Sequence, residues 1–181
     1  MLKNQIIAAF AMCKKDPEQT LHQAQYTDNG MSDDFSSAQW RLEAKKDADK
    51  HWQEIPEAAL IECDAALSHA TLQNWRYFLA AHLCFALDAV ARHDFDYELI
   101  DRVICHSPYH SPDEECESGV ENTFYLERFN TLTLSQIDAI KSFLAFCVAE
   151  SLKEIEASNC YVRLYDAAQK ALASYWQKPA S

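Results

Sequence analysis

The sequence predicts an all-α protein, a single-domain bundle of about seven helices around a central apolar helix at about residues 72–92. Three observations support this prediction. Apolar residues recur every three or four positions along most of the 181-residue chain, which is the period of an amphipathic helix. Hydrophobic residues make up 49% of the chain, enough to bury a core in one domain spanning residues 1–181. No run of alternating β-branched residues marks a strand.

Three helices are predicted before the first proline break in the middle of the chain. The first covers about residues 2–14. Asp16-Pro17-Glu18 reads as the N-cap, first-position proline and first-turn acid of a second helix that ends near residue 26. The third runs over about residues 36–52. Its charges are mixed in sign, which predicts a solvent-exposed face: Glu43, Lys45, Lys46, Asp47, Asp49 and Lys50.

The central helix and its neighbours follow from caps and prolines. Pro56 ends the third helix and opens a fourth, to about residue 64, because the residue before a proline avoids the helical region. Thr71 is a plausible N-cap for the central helix, in which His82 is expected to be a hydrogen-bonded core residue. Arg76, near the start of that helix, is expected to form an internal ion pair, with an anion site as the alternative.

The last third of the chain contains a long loop between helices. Asp94 or Asp96 is predicted to cap a helix that ends near Cys105, although an Asp-x-Asp pair could also hold a divalent cation. A loop at about residues 106–122 follows, since two prolines and a glycine prevent regular structure there.

Two further helices are predicted after that loop. Residues 124–126 are expected to be briefly extended. Thr133 and Gln136 form a capping box that opens a helix to about residue 156. A final helix is predicted over about residues 160–176.

Charge and glycine content exclude several classes of function. The chain carries 16 basic and 28 acidic side chains, a formal charge of −12, which argues against nucleic acid or an anionic membrane surface as the partner. Only Gly30 and Gly119 occur, so there is no glycine-rich phosphate loop. No apolar run approaches the ~20 residues of a membrane span. Seven cysteines, an odd number in mostly apolar helical contexts, suit a reducing cytoplasm better than a disulfide framework.

Several short motifs together resemble a known family. They are Trp52-Gln53-Glu54-Ile55-Pro56, Arg76-Tyr77-Phe78-Leu79-Ala80, Leu132-Thr133-Leu134-Ser135-Gln136 and Phe143-Leu144. This pattern resembles an uncharacterised bacterial family of all-helical domains of unknown function. The resemblance spans almost the whole chain and implies a bacterial origin and an all-α fold, but it implies no catalytic residues. Ala80 stands where that family tends to have a proline, which puts any kink of the central helix in doubt.

One cluster has the residue types of a zinc site, namely Cys105, His106, His110 and Cys116. Thiolate and imidazole are the ligands that zinc prefers, and four ligands complete a tetrahedron. The spacing fits neither C-x-x-C nor H-x-x-x-H, so a solvated loop with incidental thiols is the favoured interpretation and no cofactor is expected. No catalytic motif occurs: there is no G-x-S-x-G and no H-E-x-x-H.

Acidic residues concentrate between residues 88 and 121, which we call the acidic segment. It holds ten acidic and two basic side chains, a net charge of 2 − 10 = −8. Two-thirds of the chain's net negative charge of −12 therefore lies in under one-fifth of its length. Clustered negative charge steers a basic protein, and tyrosine often anchors an interface. The expected contact residues are Asp94, Asp96, Tyr97, Asp101, Tyr109, Asp113, Glu114, Glu115, Glu117 and Glu121.

These observations favour a non-catalytic protein-binding module. Its most concrete form is a bacterial immunity protein that neutralises a basic toxin, such as a nuclease, through the acidic segment. The alternatives are a metal-binding protein or enzyme that uses the cluster at residues 105–116, and a helical regulatory or structural module.

Overall fold

The computed structural model describes residues 1–28, 37–94, 98–109, 121–160 and 162–175, without the side chains of residues 121–123. Within these ranges the chain forms ten α-helices and one 3-10 helix and contains no strand, which confirms the all-α prediction. The helices are α1 (Leu2–Ala9), α2 (Leu21–Asp28), α3 (Ala38–Ala44), α4 (Glu57–Glu62), α5 (Ala66–His69), α6 (Leu72–Ala91), α7 (Glu98–Cys105), α8 (Glu121–Phe129), α9 (Leu134–Ser158) and α10 (Arg163–Ser174), with the 3-10 helix at Trp52–Glu54.

Packing groups the chain into two compact units. One comprises residues 10–82, and the other residues 1–9 together with residues 83–181. Helix α6 contributes its first eleven residues to one unit and the remainder to the other. The organisation of residues 1–181 as a single domain stays a prediction.

The unit of residues 10–82 is built on α2, which packs against α5 and α3. Aromatic side chains fill its core, as expected for the residues that bury the most surface. They are Phe10, Trp40, Trp52, Trp75, Tyr77 and Phe78. The other unit packs α9 against α10 and α1, and α10 against α7. Its core includes Ile6, Leu99, Ile100, Phe129, Ile140, Phe143, Leu144 and Leu164.

Helix α6 is the predicted central apolar helix. From Asn74 to Val90 every residue except Arg76 and Asp88 is buried. Thr71 caps it as predicted, since the backbone N–H of Asn74 donates to Thr71 Oγ1 at 3.3 Å. The helix continues through Ala80, where the resembling family tends to have proline.

The capping box that opens α9 is also confirmed. Thr133 Oγ1 accepts from the backbone N–H of Gln136, and Gln136 Oε1 accepts from that of Thr133 at 3.0 Å. Pro56 precedes α4 as predicted, and α7 ends at Cys105.

We expect Thr133→Ala to lower the free energy of unfolding by about 1 kcal/mol. The backbone N–H of Gln136 loses its acceptor, and the reciprocal hydrogen bond from the backbone N–H of residue 133 to Gln136 is weakened. Urea titration followed by circular dichroism measures the loss. Thr133→Ser keeps the hydroxyl and is the matched control. Equal stability of the alanine and serine variants would show that the cap contributes nothing.

Three predicted helix boundaries are wrong, and all of them concern the first three helices. Helix α1 ends at Ala9 instead of about residue 14, because the chain turns at Phe10. The Phe10 carbonyl accepts from the backbone N–H of Cys13 at 3.0 Å and from Trp52 Nε1 at 3.1 Å. The third helix ends at Ala44, not near Trp52.

Helix α2 begins at Leu21 and not after Pro17, because a side chain of α6 holds the preceding loop. The buried amide of Asn74 accepts from the backbone N–H of Asp16 at 2.7 Å. The same amide donates to the carbonyl of Gln19 at 2.6 Å. The Gln19 carbonyl is thus satisfied by a side chain, whereas in a longer α2 it would accept from a backbone N–H four residues further on.

Two helices, α5 and α8, have no counterpart in the predicted set. In α8 the predicted extended stretch at residues 124–126 is helical. The Arg128 guanidinium lies 3.3 Å from the centre of the Phe124 ring, and its Nη1 donates to the Phe124 carbonyl at 3.3 Å. This contact joins residues four apart, which are neighbours on the surface of a helix.

Candidate functional site

The acidic segment lies partly outside the described residues. Among its described members, Asp94 and Glu98 are exposed. Asp101 is half-buried, and its carboxylate lies 3.3 Å from Arg163 Nε. Six of the predicted contact residues lie outside the described residues, as does the side chain of Glu121 at the start of α8. The six are Asp96, Tyr97, Asp113, Glu114, Glu115 and Glu117.

Tyr109 is not placed as a surface anchor. It is 7% exposed, and its ring lies 6.1 Å from that of Phe129 and 6.5 Å from that of Tyr175. Its backbone N–H donates to Ser174 Oγ at 2.9 Å. A ring packed this way contributes to the core of its own unit and offers no surface to a partner.

The four residues of the predicted zinc site are only half described. Cys105 is exposed at the end of α7, whereas the neighbouring His106 is buried with its ring 5.9 Å from that of Tyr125. Partial desolvation at the end of α7, with Asp101 nearby, raises the pKa of the Cys105 thiol and so disfavours thiolate. His110 and Cys116 lie outside the described residues. Across the ranges that the structure describes, no three His, Cys, Asp or Glu side chains could share a metal ion.

Residues 95–97, which precede the first described residue of α7, lie outside the described residues, so the capping of that helix by Asp94 or Asp96 stays a prediction. His82 is fully buried, and its Nδ1 donates to the Phe78 carbonyl at 2.8 Å, as expected of a core histidine. Burial lowers the pKa of His82 to about 4, despite that hydrogen bond. Arg76 is half-buried.

A cluster of charged side chains in the unit of residues 10–82 was missed at the level of sequence. The third predicted helix assigned Asp47 and Asp49 to an exposed face, but both side chains are only 4% exposed. Asp47 accepts from the Nδ1 of His22 at 2.7 Å and from its backbone N–H at 2.9 Å. The carboxylate thus caps the start of α2 from a distant segment, which is an anion at the positive end of a helix.

The His22–Asp47 pair has shifted titration behaviour on both sides. The hydrogen bond with Asp47 raises the pKa of His22 against the opposing effect of burial. Burial alone would raise the pKa of Asp47, yet hydrogen bonds from His22 and Thr20 hold it below its usual value. The pair is therefore charged over a wider pH range than either group would be alone.

Asp49 forms a second buried pair close by in the sequence. Its carboxylate accepts from Lys15 Nζ at 2.9 Å and from the Tyr77 hydroxyl at 2.8 Å. Burial raises the pKa of Tyr77, and the bond to Asp49 adds to that shift. Asp47 and Asp49 together hold residues 45–50 against α2, α6 and the loop before α2.

An open pocket of about 220 Å³ lies beside the His22–Asp47 pair. Glu43 and Glu62 line it, and the Lys46 ammonium lies 2.7 Å from Glu43 Oε2 and 3.8 Å from Glu62 Oε1. The Nε2 of His22 lies 3.7 Å from Glu62 Oε2. The remaining lining residues are Gln25, Tyr26 and Cys63.

The one thiol that lines this pocket is held in the protonated form. Burial raises the pKa of Cys63 to about 12, so the thiolate that a cysteine nucleophile needs is not formed at neutral pH. The signal for the cluster was present in the sequence. Few apolar residues occur between Leu42 and Trp52, which is typical of a segment that is not helical. Asp47 and Asp49 are two residues apart in that segment.

The described residues form an all-helical fold, and one of its pockets is lined by charged side chains. The chain belongs to the family of unknown function DUF6714, whose profile matches residues 1–180. This agrees with the resemblance to a family of unknown function. No curated protein and no solved structure matches the chain. In the described part of the chain, no helix combines the length and apolar character needed to cross a membrane.

Proposed function

We propose that this protein is a non-catalytic protein-binding module that docks a basic partner through the acidic segment. The observation that carries the proposal is the net charge of −8 between residues 88 and 121. Two of its carboxylates, Asp94 and Glu98, are exposed at the described margin of the segment. Clustered charge of one sign raises the association rate with an oppositely charged protein and orients the encounter.

The most concrete form of the proposal is a bacterial immunity protein that neutralises a basic toxin. Nuclease toxins carry cationic clefts because they bind phosphates, and an acidic inhibitor can occupy such a cleft in place of nucleic acid. Membranes with anionic surfaces and nucleic acids are not partners in this proposal, since both would be repelled by the same charge.

We further propose the cytoplasm as its location. Cys63, Cys84 and Cys147 are buried as reduced thiols, and burial raises the pKa of Cys147, which disfavours the thiolate needed for disulfide exchange. Thiols kept in this form suit a reducing compartment.

Charge reversal tests the docking surface. The test variant replaces Asp113, Glu114, Glu115 and Glu117 by lysine. The matched control replaces four exposed acids outside the segment, which are Glu18, Glu127, Asp138 and Glu156. Partners are cross-linked and purified from native cells with the wild-type protein, and association rates are then measured by stopped flow with the purified partner.

We expect the test variant to associate about tenfold more slowly than wild type at low ionic strength, and the wild-type rate to fall as salt rises. The control variant, with the same net charge, should remain within about twofold of wild type. Equal slowing of both variants would mean that bulk charge, and not the acidic segment, directs docking. A salt-independent rate would argue against electrostatic docking altogether.

A further inference from the structure

Glu43 is the most desolvated carboxylate of the pocket, and it needs a cation beside it. The residue is 8% exposed. Burial opposes its ionisation, but hydrogen bonds from Lys46 and Gln39 (2.6 Å) outweigh burial and leave the pKa below its usual value. A buried carboxylate is stable only while charged and neutral donors satisfy it, so its partner cation is a requirement of the site.

The cation that meets this requirement is accessible to solvent. The Lys46 side chain is 45% exposed, and its ammonium bridges Glu43 and the largely exposed Glu62. An ammonium on a four-carbon stem has three rotatable donors and is readily hydrated outside the pocket. Exchanging it for another ammonium or guanidinium leaves the charge and the hydrogen bonds of the pocket unchanged.

The free space beside the pair fits one long side chain. Pockets for drug-sized ligands are about 300–1,000 Å³. The pocket of about 220 Å³ is smaller than these and open to solvent on one side. Tyr26, whose ring packs edge-on against Trp40 with 6.2 Å between the ring centres, supplies an aromatic wall for an aliphatic stem or a cation.

We propose that this pocket binds the cationic end of a lysine or arginine side chain, which displaces Lys46 and is held by Glu43 and Glu62. Its occupant in the cell is a side chain of the basic partner, and this choice of occupant rests on the proposed function. Lys46 acts as a tethered competitor that keeps Glu43 paired in the absence of the partner. A short tether gives an effective concentration in the millimolar range, so a weakly binding side chain competes with it.

The test uses small probes and no protein partner. The probes are N-acetyl-lysine-N-methylamide and N-acetyl-arginine-N-methylamide, and the control is N-acetyl-norleucine-N-methylamide, which keeps an aliphatic stem and lacks the charge. Proteins are the wild type, Lys46→Met, Glu62→Gln and Lys46→Met/Glu62→Gln. Titrations follow the NMR resonances of the Tyr26 ring and the His22 imidazole, and circular dichroism checks that each variant is folded.

We expect Lys46→Met to bind a cationic probe about tenfold more tightly than wild type, because no tethered ammonium has to be displaced. Glu62→Gln should weaken binding several-fold in either background, and the norleucine control should give no saturable shift. The lysine and arginine probes together decide which cation fits the pocket better. The side chain of Glu62 is 64% exposed, so we expect Glu62→Gln to fold normally. This variant therefore tests the proposed binding in the wild-type background even where Lys46→Met fails to fold.

Equal shifts with the norleucine control, or no saturable shift with either cation at tens of millimolar probe, would overturn the inference. So would binding that is unchanged by Glu62→Gln. These outcomes are independent of the docking experiment. A failed charge reversal in the acidic segment leaves the probe titration as it is, and a failed probe titration leaves the acidic segment as the docking surface.

Discussion

Replacing Asp47 by alanine is expected to destabilise the unit of residues 10–82 by about 3 kcal/mol, because one partner of a buried charged pair is removed. The change leaves the His22 imidazole and the His22 backbone N–H without their acceptor, 2.7 and 2.9 Å away in the wild type. Three of the four tryptophans lie in this unit, at positions 40, 52 and 75, so tryptophan fluorescence during urea unfolding measures the loss.

Two further variants separate the charge from the hydrogen bonds. Asp47→Asn keeps one acceptor for the start of α2 and should lose less stability than the alanine variant. Lys45→Ala changes an exposed neighbour and should stay within about 0.5 kcal/mol of wild type. A loss for Asp47→Ala no larger than for Lys45→Ala would show that the pair does not hold residues 45–50 in place.

The pair also predicts a pH dependence. The pKa of His22 is raised above 6.5 in the folded protein, first by its hydrogen bond with Asp47. Its contribution to stability is therefore complete below the unfolded pKa and is lost as the pH rises through the folded one. The difference in stability between wild type and Asp47→Ala should consequently be smaller at mildly alkaline pH than at mildly acidic pH.

Acidification is expected to destabilise the fold through His82. The unfolded chain binds a proton on this residue as the pH falls through about 6.5, whereas the folded protein does not until the pH is about 4. Over this window the free energy of unfolding should fall by about 3 kcal/mol from this residue, and its contribution should be constant below it.

Variants that cannot titrate identify His82 as the source. His82→Leu and His82→Asn will differ in stability at neutral pH, because only asparagine can replace the bond to the Phe78 carbonyl. Both should lose less stability than wild type between pH 6.5 and 4, and this slope is the quantity measured by urea titration at several pH values. Parallel curves for wild type and both variants would exclude His82 as the acid-sensitive group.

Local sequence signals predict the fold where the backbone is satisfied by near neighbours. Thr133 and Gln136 bond to each other within one turn, and Thr71 caps the helix that follows it. Pro56 restricts its own φ and the residue before it. Such signals act over three or four residues, so the sequence alone is sufficient to place them.

Boundaries that depend on distant partners are not visible in the same way. Asn74 holds the loop at Asp16 and Gln19 from more than fifty residues away, and its side chain therefore decides where α2 begins. Likewise, Trp52 donates to the carbonyl of Phe10 at the end of α1. Helical propensity is weak compared with buried hydrogen bonds of this kind, so tertiary contacts override it.

The same distinction between local and distant determinants applies to the candidate sites. A count of charges along the chain was enough to locate the acidic segment, because net charge needs no coordinates. The pocket needs the pairing of Lys46 with both Glu43 and Glu62, and the burial of Asp47, which arise from packing. In the sequence these residues read as a solvated, mixed-charge face.

The scarcity of glycine has a consequence for engineering. Just beyond the two longest helices, α6 and α9, His93 (φ 62°) and Asn159 (φ 53°) adopt the left-handed conformation that glycine occupies at lowest cost. Asparagine tolerates that region better than histidine does, so the larger conformational penalty falls at the end of α6. Glycine at either position should therefore stabilise the protein without altering the pocket, and at Asn159 it also leaves the acidic segment unchanged.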